Sequence, residues 1–303
     1  MASGQMRIRR SKLAGVSPAY FISRYTDRFT PADVCEGLAE IAELGFEHFQ
    51  PEVFHLENLA DWINGGSQQV RQCSEDLGLR PSQFVAHFML KAFSDAPSVM
   101  SDSGLVEIDS VLQIIDCLEC CPIITIPLGA FDAQGIVRPG DYIALFNRCV
   151  EKIGQLLVQV EGAGRRLALE IMPSAVIGGI DGFRRLCDQL NTETLGLNYD
   201  TGHAWAAKEN LYMIPAKLNG QILGTHFCDN LGHENLSLRP GAGSIDWPAI
   251  IGGLGASGYQ GSFDIEIICP PEVVRQEYSR GLSFIEAILF QTYDWRSADS
   301  NNK

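Results

Sequence analysis

Short apolar runs alternate with longer amphipathic stretches along almost the whole chain. The runs carry apolar residues on both faces of an extended strand, the pattern of a parallel sheet buried on each side. Eight such strands are predicted, over 13–22, 46–54, 82–90, 122–128, 166–172, 195–199, 222–227 and 262–267. Between them the apolar spacing changes to that of helices. The first helix follows Thr30, a suitable N-cap, with Pro31 in the first helical position and an end near Gly45. Further helices are expected over 59–77, 104–120, 141–161, 182–190, 247–254 and 271–289, several of them closed by a glycine such as Gly78, Gly162 or Gly258. The stretch 207–220 has the weakest periodicity of all the connections.

Eight strand–helix units in 303 residues give about 38 residues per unit, the spacing of a single (β/α)8 TIM barrel with some long loops. The expected domain is residues 11–292, with 1–10 and 293–303 as terminal extensions. The rival, an open doubly wound sheet, needs a glycine-rich phosphate turn after its first strand, and Gly15-Val-Ser-Pro-Ala does not supply one. No linker or internal repeat divides the chain.

Composition narrows the partners. Lys+Arg 23 against Asp+Glu 37 gives a formal charge of −14, which repels phosphate backbones and anionic lipid. Neither a nucleic-acid nor a membrane partner is expected, and no apolar run approaches a membrane span. The basic start Met1–Arg10 lacks the apolar core of a secretory signal. Nine cysteines, an odd number in a chain of this size, fit a reducing compartment, so a cytoplasmic location is expected. Cys117-Leu-Glu-Cys120 is a C-x-x-C without a second pair or a nearby His, and helix packing explains it better than a metal site.

Ionisable residues at the ends of apolar strands are the exception that carries chemistry, because barrel enzymes build their sites at the C-terminal mouth. Glu170 follows Arg166-Leu-Ala-Leu, and Asp200 ends Leu195-Gly-Leu-Asn-Tyr, with His203 three residues on. His226 ends Ile222-Leu-Gly-Thr, and Glu266 lies in Phe263-Asp-Ile-Glu-Ile. Taken singly, each has an ordinary structural explanation as a cap or a hydrogen-bonded core residue. Three converging carboxylates, however, would repel one another unless a cation stood between them. Three carboxylates and one imidazole form a hard, oxygen-rich donor set that suits Mn2+ or Mg2+ and tolerates Co2+ or Zn2+.

These residues, with Leu-Glu170-x-x-Pro, Asn-Tyr-Asp200-Thr-Gly-His203 and Arg239-Pro-Gly-Ala-Gly-Ser-Ile-Asp246-Trp247, carry a resemblance to a known family. The chain resembles the sugar isomerase/epimerase superfamily with a xylose-isomerase-like TIM barrel, which includes ketose 3-epimerases, hydroxypyruvate isomerase, inosose dehydratase and endonuclease IV. The resemblance rests on motifs over about residues 160–270 and on the strand–helix pattern before that. It implies Glu170, Asp200, His226 and Glu266 as metal ligands, Mn2+ first among the ions. It also implies substrate contacts from His203 and Arg239, while His87, at the end of the third predicted strand, lies where it could line the same mouth or stay a core residue. Glu170 and Glu266, on different strands, would also serve as base and acid on either side of a substrate carbon. A sugar or polyol-derived small molecule is the implied substrate, and a homo-oligomer is compatible with the family.

The expected reaction is isomerisation or epimerisation of a hydroxy-ketone through a metal-stabilised enediolate. The same intermediate could expel a β-substituent, so a dehydratase or lyase acting on a keto-sugar or keto-inositol is the alternative. Ketose 3-epimerases tend to carry a second Glu six residues after Glu170; Val176 stands there and implies a more apolar pocket. An endonuclease IV-like nuclease is disfavoured by the charge, by the absence of a His at Ile126-Pro-Leu-Gly129 and by Asp229-Asn-Leu-Gly-His233 in place of Asp-x-His. A sugar-binding barrel without activity is the remaining class.

Overall fold

The computed structural model describes residues 13–119 and 121–292. Among the described residues nine strands, all pairing in parallel, form two arcs. One runs in the order β3-β2-β1-β9, from Arg80–Pro81 (β3) through His48–Phe49 (β2) and Ala14–Val16 (β1) to Phe263–Ile265 (β9). The other runs from Phe84–Val85 (β4) through Ile123–Leu128 (β5), Arg166–Ile171 (β6) and Leu195–Asp200 (β7) to Ile222–His226 (β8). Two junctions join the arcs into the expected (β/α)8 barrel. Glu52 pairs with Val85, and Phe227 pairs with Ile265, its N–H donating to Asp264 O at 2.8 Å while Glu266 N–H donates back to Phe227 O at 3.0 Å.

The ninth strand arises because the third stave is broken. Ser82 N–H bonds Phe49 O on one neighbour and Ala86 N–H bonds Thr125 O on the other, while Val85 also exchanges bonds with Pro51 and Val53, so β3 and β4 are two segments of one stave interrupted at 82–83. The predicted strand 82–90 is therefore corrected to Phe84–Val85, followed by a 3-10 helix over His87–Phe93. The reason is the spacing of Phe88, Met89, Ala92 and Phe93, which a helical turn buries together. Likewise 13–22 is a strand only over Ala14–Val16. Pro18 takes a helical conformation, and the helix Ala19–Tyr25 buries Tyr20 and Phe21.

The helices cover the outside of the barrel; the predicted helix 59–77 is interrupted at Asn64 and Gly65, and the helix Pro139–Gly162 runs through Gly162 to close at Ala163. Thr30 and Asp33 form a reciprocal capping box, and Gly45 closes the helix Pro31–Leu44 with a left-handed φ of 97°. The weakly periodic connection 207–220 holds a 3-10 turn over Leu211–Met213 and one helical turn, Ile214–Lys217. Cys117 ends the helix Ile108–Cys117 and Cys121 is buried in the core, in keeping with a packing role; Cys120 and the predicted terminal extensions lie outside the described residues. Cys35, Cys73, Cys117, Cys149, Cys187, Cys228 and Cys269 are free thiols. Among the described residues no helix is long and apolar enough to cross a membrane.

Candidate metal centre

The mouth of the barrel is assembled by strand register. Asp200 is paired with His226 across β7 and β8, Glu170 is next to last in β6, and Glu266 follows β9 by one residue. Side chains alternate along a strand, so all four of these point into the barrel at one level. Ligand atoms from the four lie within 4.8 Å of one another. Glu170, Asp200 and His226 are buried, and Glu266 is nearly so. His226 Nδ1 lies 3.1 Å from both Glu170 Oε1 and Glu266 Oε2, and 3.9 Å from Asp200 Oδ2.

The electrostatics are those of a site that needs positive charge. Burial drives the Asp200 carboxyl up, and the neighbouring Glu266 and Glu170 add to the shift against His203 and His226. Burial alone would discharge His226, yet Glu170 and Glu266 outweigh it and hold the ring well above its ordinary range. Asp200 Oδ2 is buried without a hydrogen-bond partner, the nearest basic nitrogen being His203 Nε2 at 3.7 Å. An orphaned buried oxygen, facing other carboxylate oxygens, is what a divalent cation would satisfy. The four residues fit such an ion in number, chemistry and spacing.

The neighbours fix these ligands. Asp200 caps the helix Thr201–Ala206 by accepting from His203 N–H at 2.7 Å, which leaves its other oxygen for the site. Glu266 accepts from Ser17 Oγ at 3.4 Å and Ser237 Oγ at 3.3 Å. His226 Nε2 is 2.7 Å from Gln50 Oε1, and Gln50 Nε2 is 2.7 Å from Asp264 Oδ2.

A cavity of about 110 Å3 opens on the cluster, with Glu52, His87 and His203 on its polar wall and Ile22, Phe54, Met172 and Ile268 on its apolar wall. His203 accepts at Nδ1 from Asn235 Nδ2 at 3.3 Å, because Asn235 Oδ1 is already occupied by Ser237 N–H at 3.0 Å. This directs Nε2 of His203 toward Glu170 and Asp200. His87 is stacked on Phe54, with ring centroids 3.9 Å apart, and burial lowers its pKa. Arg239 is placed elsewhere: its Nε pairs with Glu277 at 3.1 Å, its Nη1 donates to Pro240 O, and it is not among the residues lining this cavity. Val176 is buried in the hydrophobic core and also stays out of the cavity, while His233 is exposed.

Three inward residues of the site were missed from the sequence: Gln50, Glu52 and Asp264. In Glu47-His-Phe-Gln-Pro-Glu52 the polar residues His48, Gln50 and Glu52 recur at period two between Phe49, Pro51 and Val53. On a strand buried on both faces, that alternation marks a polar face turned to the barrel interior. Glu52 is 3% exposed and its Oε2 has no partner. Burial, aided by Glu170 and Glu266 against His226, raises its pKa well above the ordinary glutamate value.

Comparison with known proteins agrees with this geometry. A 26% identical stretch of 154 residues is shared with the uncharacterized protein MJ1311 of Methanocaldococcus jannaschii, covering 46% of this chain and 53% of that protein. The chain thus matches about half the length of this relative. Among solved structures, the IolI protein with a bound zinc atom superposes with a TM-score of 0.71 at 15% identity, over 92% of this chain and 97% of that one. D-psicose 3-epimerase from Clostridium cellulolyticum H10 superposes with a TM-score of 0.72 at 16% identity, over 91% of this chain and 99% of that one. At these identities the structural likeness speaks for the fold. The family model of the xylose isomerase-like TIM barrel matches residues 38–288, and the chain belongs to that family.

Proposed function

We propose that the protein is a divalent-metal-dependent isomerase or epimerase of a small sugar-like hydroxy-ketone. The observation that carries this reading is the convergence of Glu170, Asp200, His226 and Glu266 ligand atoms within 4.8 Å, beside an open cavity that Glu170, His226 and Glu266 line. A divalent ion held there, Mn2+ by the preference of three carboxylates and one imidazole, would polarise a carbonyl and acidify the neighbouring C–H. The zinc of IolI, a protein of the same fold, makes Zn2+ the second ion to try.

The chain's own groups supply the rest. Glu170 and Glu266 reach the site from β6 and from the end of β9, on two sides of His226, so one can remove a proton from a bound carbon and the other can return one. His203 presents Nε2 to the same space and binds a substrate oxygen. Burial pushes the Glu52 carboxyl up, and the group stands on the polar wall of the cavity, where it can bind a substrate oxygen. His87 and Phe54 form a stacked wall that excludes water from one side. Arg239, committed to Glu277, is given no step. The odd number of cysteines, nine, is the ground for a reducing, cytoplasmic setting.

The test is incubation of metal-loaded protein in D2O with a panel of ketoses and keto-inositols. Deuterium at the carbon next to the carbonyl, with an isomerised product, supports the proposal. Deuterium accompanied by loss of water from the substrate assigns a dehydratase instead. Glu266→Gln should abolish exchange while some metal stays bound, and undiminished exchange removes Glu266 from acid–base work.

A further inference from the structure

Below the four ligands, one inward step down the barrel, lies a second polar layer that the proposed chemistry does not use. Asp264 sits on the same strand as Glu266 and two residues before it, so its side chain points to the same interior but nearer the opposite end. It is completely buried. Its Oδ2 accepts from Gln50 Nε2 at 2.7 Å, Ser262 Oγ at 2.7 Å and Ser82 Oγ at 3.0 Å. This crowding of donors onto one oxygen decides the orientation of the Gln50 amide. Turned over, the amide would put its own oxygen 2.7 Å from Asp264 Oδ2, two acceptors face to face.

With the amide so fixed, Gln50 Oε1 is the atom 2.7 Å from His226 Nε2, and an acceptor there requires that Nε2 carry the proton. The other nitrogen, Nδ1, which lies 3.1 Å from both Glu170 and Glu266, is then the one that would give up its proton and offer its lone pair to a cation. Gly15 makes the arrangement possible. A Cβ at that position would stand 1.8 Å from Asp264 Oδ1, so any side chain on that part of β1 would push the carboxyl off Gln50. A cavity of about 280 Å3 on the far side of Asp264, lined by His48, Ser82 and Ser262 among others, brings this layer to the end of the barrel opposite the mouth.

We propose that Asp264 and Gln50 are positioning residues that hold His226 with Nε2 protonated and Nδ1 turned to the ion, and thereby set the metal affinity of the site. The proposal rests on the metal reading above. Its warrant is general: the ring N–H of a metal-bound histidine is tied down by an outer acceptor, whose loss costs about 10- to 100-fold in affinity.

The experiment is calorimetric titration of Mn2+, and separately Zn2+, into metal-free protein. Gln50→Met, close in volume but without an acceptor, and Asp264→Asn should each weaken Mn2+ binding about 10- to 100-fold while the protein stays folded by circular dichroism. In Asp264→Asn the amide now competes as a donor and frees Gln50 to turn its NH2 toward His226. Combining Gln50→Glu with Asp264→Asn restores a carboxylate acceptor at His226 Nε2, and the double variant should recover to within a few-fold of wild type. A purely structural role predicts no such rescue. A mutation-free readout is the 15N spectrum of the Zn2+-loaded wild type, which should show the His226 proton on Nε2. Folded single variants that bind Mn2+ as tightly as wild type, or a proton found on Nδ1, overturn the proposal. Wild-type protein that takes up neither ion overturns the metal reading itself.

Discussion

Asp229 and Asp200 are both buried aspartates near the C-terminal end of the barrel, and they are treated in opposite ways. Every lone-pair direction of Asp229 is met by a donor. Oδ1 accepts from Asn230 N–H at 3.0 Å and Ile245 N–H at 3.2 Å, and Oδ2 accepts from Gly241 N–H and Trp247 Nε1, each at 2.9 Å. The carboxylate therefore winds the glycine-rich loop around itself and ties it to the start of the helix Trp247–Ala256. Asp200 spends one oxygen on a helix cap and leaves the other facing Glu170, Glu266 and two histidines, with no donor within hydrogen-bonding distance. A buried acid whose acceptors are filled by the backbone is scaffold. One whose free acceptor converges with others on a common point is a site for a cation.

The sharpest way to break this comparison is to remove each acid. Asp229→Ala leaves four donors without a partner and should cost about 3–5 kcal/mol in urea unfolding. Asp200→Asn, measured in metal-free protein, should leave stability unchanged or raised, because a repulsive charge is lost. Equal losses at the two positions would erase the distinction.

The second effect is metal-linked. Mn2+ at about 100 times its dissociation constant should stabilise the wild type by about 2.7 kcal/mol, seen as a higher Tm. The Asp200→Asn protein should show little of this gain, whereas a folded variant at the Asp229 cradle, such as Trp247→Phe, should show all of it. Trp247→Phe itself removes one of the four donors to Asp229 and is expected to cost about 1.5 kcal/mol.

The smallest expected effect concerns Glu52, the other carboxyl with an orphaned oxygen facing the site cavity. Its pKa is raised in the folded protein by burial. Its contribution is thus fully present below the ordinary glutamate pKa and is lost as pH rises toward the folded value. Metal-free wild type should then lose stability relative to Glu52→Gln as pH increases, with a slope of at most about 1.4 kcal/mol per pH unit. Parallel pH curves for the two proteins would place Glu52 with the satisfied acids.

Much of the candidate site was legible because its residues sit where a local pattern breaks. Glu170, Asp200, His226 and Glu266 each interrupt or end an apolar run, and the closed barrel brings those strand-end positions to a common point. His203 follows from the same turn, since Asp200 caps the helix that begins it. Arg239 was expected at the substrate from the motif in which it stands. Its guanidinium pairs instead with Glu277, a partner 38 residues away on the last helix that no local spacing reveals.

The sequence by itself determined the eight-unit barrel, the helix caps and the strand-end acids, because each depends on residues within a turn or two of one another. Only the tertiary structure decided that the third stave is interrupted at 82–83, that Glu52 faces the cavity, and that Gln50 lies between His226 and Asp264. Those contacts join positions 176 and 214 residues apart. They exist only once the barrel has closed, when the interior volume at each level decides which polar groups meet.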